Sequence, residues 1–242
     1  MDTDIWGPKL WNVFYEVTRL SQRGASKLQK DKIIAFFHSL IYVLPCGLCR
    51  NSYRGFIRDD PLESHLDNGQ LVDWIYFLKE KVNNKLHRNG AITYQKFQKR
   101  LNAWTALASN EDIWDVLFMV ALNHPHAQTG HVKEVEQKLV YYCLFYSSLP
   151  DLLIAIPHLK RTGQVIKNDP VKFQDHIQNF DNLWNHLTKL RNTACDTNYT
   201  TDDMMKQYEF AKAHRLWNAA NAQLTVEERH KGVLETEKKS CS

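Results

Sequence analysis

Apolar residues recur along this chain at helical spacing, and glycine and proline are scarce. Trp6, Leu10, Val13, Phe14 and Val17 trace one face of a first helix, with Pro8 tolerated in its opening turn. Ile33, Ile34, Phe37, Leu40, Ile41 and Leu44 trace a second helix that runs up to Pro45. A third begins near Pro45 or Cys46 and carries Tyr53, Phe56 and Ile57. The polar stretch from Asp59 to about Asn68 reads as a loop. Leu71, Trp74, Ile75, Leu78, Val82 and Leu86 form a fourth amphipathic helix, which Asn89-Gly90 ends. Thr93 then caps a fifth through Tyr94, Phe97 and Leu101. The pattern predicts an all-α fold whose first unit has about 100 residues, an ordinary domain size.

From about Asn110 the pattern echoes itself. Asp4-Ile5-Trp6 returns as Asp112-Ile113-Trp114, and Ile33–Leu44-Pro45 resembles Leu139–Leu149-Pro150. Leu71 to Trp74 resembles Leu183-Trp184, and Thr93-Tyr94 resembles Thr200-Thr201. The identities are sparse, so the echo is either a degenerate duplication or the chance likeness of two helical domains. Duplication places Asp151 and Ile154 where the first copy has Cys46 and Cys49. The expected organisation is a first domain over 1–104, a second helical domain over 105–224 and a polar tail over 225–242 that ends in Cys241-Ser242.

Composition narrows the class. Apolar residues make up 43% of the 242, enough for a packed core and against wholesale disorder. The formal net charge of +4 is small and no block of like charge occurs, which argues against nucleic-acid binding. Met1 to Trp6 lacks a basic region followed by an apolar run, and no stretch reads as a membrane span. The expected location is cytoplasmic or nuclear.

The five cysteines are too few and too scattered for a disulfide framework, and only Cys46 and Cys49 are close in sequence. A Cys-x-x-Cys pair at a helix N-terminus suits thiol–disulfide exchange: the sulfurs are within bonding reach and the helix start lowers a cysteine pKa. The bare spacing also occurs in zinc sites, which need two further ligands, and His38 and His65 form no second pair with ligand spacing. A thioredoxin-like unit needs a strand before the pair, and here a helix precedes it. The residues alone support a redox or a metal reading.

Four blocks add more: Trp6-Gly7-Pro8-Lys9-Leu10-Trp11, Leu44-Pro45-Cys46-Gly47-Leu48-Cys49, Trp74 with Val82-Asn83-Asn84-Lys85-Leu86, and Ile92-Thr93-Tyr94. In order and spacing they resemble the Erv/ALR sulfhydryl oxidase family over about residues 4–102, particularly the compact members encoded by large DNA viruses. The resemblance implies a four-helix bundle with a short fifth helix, holding FAD. It implies a thiol oxidase that makes disulfides in thiol-containing protein substrates and passes electrons through FAD to molecular oxygen, giving hydrogen peroxide. Cys46 is then the outer sulfur that meets substrate, and Cys49 lies against the isoalloxazine ring and forms the charge-transfer thiolate. Carried over position by position, Gly7, Trp11, Asn83, Lys85 and Tyr94 contact the cofactor. Tyr15 and Lys79 stand where the family usually has histidine and are expected to contact it too. No metal is implied. A homodimer, or a pseudo-dimer of the two halves of one chain, is expected, and a viral setting places the protein in host cytoplasm or virion. The alternative is a non-catalytic helical scaffold with a vestigial or zinc-binding Cys pair. No second Cys-x-x-Cys is present to act as a shuttle, which leaves Cys46 to meet substrate directly and Cys195 or Cys241 as possible single-cysteine relays.

Overall fold

The computed structural model describes residues 3–88, 92–103, 105–125, 132–169 and 173–208. The expected tail over 225–242, Cys241 and the Asn89-Gly90 stop lie outside them. Among the described residues the secondary structure is helical, without strands.

The first half builds six helices: α1 (Thr3–Gln22), α2 (Lys27–Val43), α3 (Gly47–Asp59), α4 (Leu62–Asp67), α5 (Leu71–Lys85) and α6 (Tyr94–Asn102). Ser26 and Gln29 start α2 with a reciprocal capping box, and the Thr93 side chain accepts the Lys96 N–H to start α6. Two local expectations are corrected. The helix begins at Thr3, so Pro8 sits inside α1, where it forgoes the helical bond to residue 4. The stretch expected as a loop holds α4, because Leu62 and Leu66, four apart, are both buried against α2 and α5. Helices α1, α2, α3 and α5 form a bundle with α6 across α1 and α5. Phe14 packs on Phe36 and Phe37, and Phe37 meets Trp74 edge-on with centroids 5.3 Å apart. Trp74 Nε1 donates to the Asp60 carbonyl at 2.9 Å, so the ring's polar edge is satisfied as well.

The second half follows the same order of long and short pieces. It comprises α7 (Asn110–Leu122), α8 (Val132–Ile154), a 3₁₀ turn (Pro157–Leu159), α9 (Lys160–Lys167), α10 (Phe173–Ile177), α11 (Phe180–Cys195) and α12 (Thr201–Gln207). Every residue of α7 from Ile113 to Leu122 is buried, the state of a helix enclosed on all sides. One face of α7 packs on α1 and another on α11, while α8 lies along α2. Phe36 stacks on Phe145, and Tyr42 on Tyr141, so a single apolar core runs through both halves.

Polar groups pin the same seam. Asp115 on α7 accepts from Lys9 on α1 and from the Tyr208 hydroxyl. Glu16 is buried and accepts the Leu107 N–H at 2.6 Å and the Ala108 N–H at 3.3 Å. Arg19 donates to the carbonyls of Leu101 and Thr105. The connection from α6 to α7 is thereby clamped onto α1. The proposed match of Leu149-Pro150 with Leu44-Pro45 needs correction: Pro150 lies inside α8, which continues to Ile154. Asp151 pairs there with Lys32 (2.9 Å) and Lys167 (2.5 Å), and helix α9 crosses at Gly163, where a Cβ would come within 2.8 Å of the Pro150 carbonyl oxygen. No single described helix is long and apolar enough to cross a membrane.

Candidate active site

Pro45 prevents α2 from continuing, and the chain turns at once into α3 with Cys46 as its N-cap. The Cys46 Sγ accepts the Cys49 N–H at 3.3 Å, occupying a site usually filled by a serine or aspartate oxygen. Neither cysteine is bridged in the structure. The Cys49 thiol donates to Cys46 and is the main reason the Cys46 pKa is pushed down to about 6; burial opposes this, and the Cys49 N–H and the Lys85 charge assist. Cys49 moves the other way, raised by holding that hydrogen bond, by burial and by the negative charge beside it. In the dithiol form the charge therefore sits on Cys46 and the proton on Cys49. Lys85 is fixed nearby, with Nζ donating to the Leu48 carbonyl at 3.2 Å.

A cleft opens between α1, α3 and α5, and Cys49 faces it while Cys46 does not line it. It holds about 690 Å³ of empty space, counting its open mouth. Trp11, Phe14, Phe56 and Leu78 contribute apolar walls; Lys85 and Arg88 supply cations, and Arg88 pairs with Asp4. Gly7 lines the cleft and is buried, yet a Cβ built on it meets nothing within 4 Å. The missing side chain thus leaves open space inside the bundle.

Of the residues singled out in the sequence, Gly7, Trp11, Cys49 and Lys85 meet at this cleft. Lys79 lies just behind it, its Nζ 4.2 Å from the Trp11 ring centroid. Burial, then the charges of Arg88 and Arg100, lower its pKa to about 8. Tyr15 is buried between Trp11 and Phe97 under the Arg100 guanidinium, and burial pushes its hydroxyl up to about 12. Tyr94 donates to Asp73 and packs edge-on against Tyr76, away from the cleft lining. Asn83 is half-buried on α5, and its carbonyl receives the Arg88 N–H at 3.0 Å.

Sequence reasoning missed Arg88, which lies beyond the end of α5 where no periodicity marks it. It also read Phe14 and Leu78 as plain core, because a cavity-lining stripe and a core stripe have the same spacing. For the metal reading, no cluster of three or more His, Cys, Asp or Glu suited to a metal occurs among the described residues. His38 faces Glu63 at 2.8 Å and His65 faces Asp60 at 2.6 Å.

Comparison with curated proteins and with solved structures returns no match. The Erv1 / Alr family matches over residues 8–102, the segment that holds α2 to α6, most of α1, and both cysteines. That family is one of sulfhydryl oxidases, and over residues 8–102 the chain is similar to it.

Proposed function

We propose that the chain is an FAD-linked thiol oxidase that uses Cys46 and Cys49 to form disulfides in protein substrates. The observation that carries this reading is the division of labour in the pair: Cys49 faces the cleft and Cys46 lies outside its lining. In the oxidised pair, a substrate thiolate attacks Cys46 Sγ, the Cys46–Cys49 bond breaks, and Cys49 leaves as a thiolate. The substrate's second thiolate then attacks the substrate sulfur bound to Cys46. The product disulfide departs, and both electrons remain on the Cys46/Cys49 dithiol. Lys85 favours Cys49 as a leaving thiolate, since its charge lowers that pKa.

The residues of the cleft fit FAD. The space left by Gly7 and the walls at Trp11 and Phe14 suit a flat ring system, and Lys85 and Arg88 suit a diphosphate. When bound, FAD accepts two electrons and passes them to oxygen, giving hydrogen peroxide. Trp11 and Lys79 hold one wall in place by their mutual contact. We further infer that residues 105–208 are a degenerate copy paired with the first half inside one chain, the order of helices and the seam of α7 on α1 and α8 on α2 being what supports it.

The test is direct. Purified protein should be yellow, and it should consume oxygen on addition of a dithiol. Cys49→Ala should abolish the uptake; a colourless protein, or full activity in that variant, would overturn the reading.

A further inference from the structure

The redox turn is not held by its own half of the chain alone. Leu44 is the last residue before Pro45-Cys46, and its carbonyl points out of the end of α2, where no further helical N–H can reach it. Leu44 is buried, so water is a poor substitute. Two side chains fill the carbonyl's two acceptor positions. Arg50 of α3 donates from Nη1 at 2.6 Å, and Asn123 donates from Nδ2 at 3.2 Å.

Asn123 comes from the second half, where it is the C-cap of α7, its own N–H bonded to the Ala121 and Val120 carbonyls. It is braced as well. Its Nδ2 also lies 3.5 Å from the Tyr142 hydroxyl, and Tyr142, buried on α8, donates to the Val120 carbonyl at 3.2 Å. The amide is thus aimed by the backbone that carries it and by a fixed phenol.

The peptide plane between Leu44 and Pro45 sets where Cys46 begins. Cys46 in turn must keep an extended backbone (φ −123°, ψ 124°) for its Sγ to cap α3 and to lie within bonding reach of Cys49. The geometry points to Asn123 as a positioning residue for the Cys46–Cys49 pair, supplied by the half of the chain that has no such pair of its own. This inference deepens the oxidase reading and gives the second half a part in that site: it fixes the turn on which the thiols are presented.

The test reads the turn itself in the reduced full-length protein, without turnover. The rate of Cys46 alkylation is followed against pH in wild type, Asn123→Ala and Asn123→Leu; Leu keeps the approximate shape and removes the donor without adding a charge. The titratable and charged groups around Cys46, namely Cys49, Arg50, Arg54, Lys85 and Tyr142, stay the same in each. The midpoint is expected to rise by about half a unit, a roughly threefold loss of thiolate on the acid side. Asp115→Asn serves as the control. It loosens the same α1–α7 seam away from the turn, and is expected to lower the melting temperature and leave the midpoint alone. Should neither Asn123 variant give soluble protein, Tyr142→Phe removes the brace, and a rise in its midpoint is expected in the same way. Wild-type midpoints in the folded variants, or a shift in Asp115→Asn equal to theirs, would overturn the assignment. A wild-type protein that fails to oxidise dithiols defeats the oxidase reading and leaves this comparison intact.

Discussion

The most informative perturbation is removal of the Cys49 thiol, read at Cys46. An ordinary cysteine near pKa 9 is about one per cent thiolate at pH 7, whereas one held near 6 is about nine-tenths thiolate. That is a gain of about ninetyfold in the reactive form. Basicity and nucleophilicity fall together, however, with a slope near 0.4–0.5, so three units cost about fifteen- to thirtyfold in intrinsic rate. At neutral pH the net advantage shrinks to roughly three- to sixfold. The rate at one pH is therefore a weak test, and the midpoint of the pH profile is a strong one. We expect Cys46 in the reduced wild type to titrate near 6 when followed with a small alkylating agent and mass detection. In Cys49→Ala the thiol donor, the largest cause of the lowered pKa, is gone, so the midpoint should rise by at least about one unit. Cys49→Ser keeps a donor and should fall between the two. A wild-type midpoint above 8, or an unmoved midpoint in Cys49→Ala, would refute the assignment of charge to Cys46 and proton to Cys49.

Three further outcomes follow from the packing. Glu16→Ala removes the acceptor of two N–H groups and leaves Arg19 without its 3.5 Å partner, and should cost about 3 kcal/mol in urea unfolding; a loss under 1 kcal/mol counts against the clamp. Gly7→Leu should project into the cleft and weaken flavin binding at least about tenfold, while the melting temperature holds or rises because a helical glycine is relieved; unchanged affinity would mean that the space at Gly7 is not used. His186 is buried and stacked on His176, and its pKa is lowered to about 4 by burial and then by the His176 charge. Between the ordinary value near 6.5 and that depressed value the unfolded chain binds more protons, so this residue's stabilisation is present above 6.5 and lost as pH falls toward 4. Over that range wild type should lose on the order of 2–3 kcal/mol more than His186→Leu, and parallel losses in the two proteins would remove His186 as the cause.

What was legible in the sequence is what local physics decides. The apolar spacing gave α1, α2, α3 and α5, and Thr93 gave the start of α6; Thr200, matched to Thr93 in the echo, caps α12 in the same way. Cys46 at the start of α3 followed from Pro45 breaking α2. What escaped was set by contacts distant in sequence or by pieces too short to show a period. Helix α4 has six residues, fewer than two turns, so Leu62 and Leu66 are its entire apolar signal. Pro150 looked like a stop, but the packing of α8 on α2 and α9 keeps the helix intact past it. The bond from Asn123 to Leu44 spans 79 positions and has no local signature. Tyr94 matched a family position, yet its hydroxyl is committed to Asp73.

The same contacts tie the family-matched segment to the second half. Cut at residue 102, it loses the N–H groups of Leu107 and Ala108 and the His158 ring, which all face Glu16. A buried carboxylate would then keep only Arg19. Phe36, fully buried, would lose Phe145 from its face, and the apolar sides of α1 and α2 under α7 and α8 would open to water. Leu44 would keep one of its two donors at the point where the redox turn begins. The second half therefore contributes no thiol pair to the cleft but covers an otherwise exposed apolar face and supplies one of the two donors to the Leu44 carbonyl before Pro45-Cys46. A half without a redox pair can still matter to the site on these grounds alone, because burial and hydrogen-bond satisfaction at the seam do not depend on which side carries the cysteines.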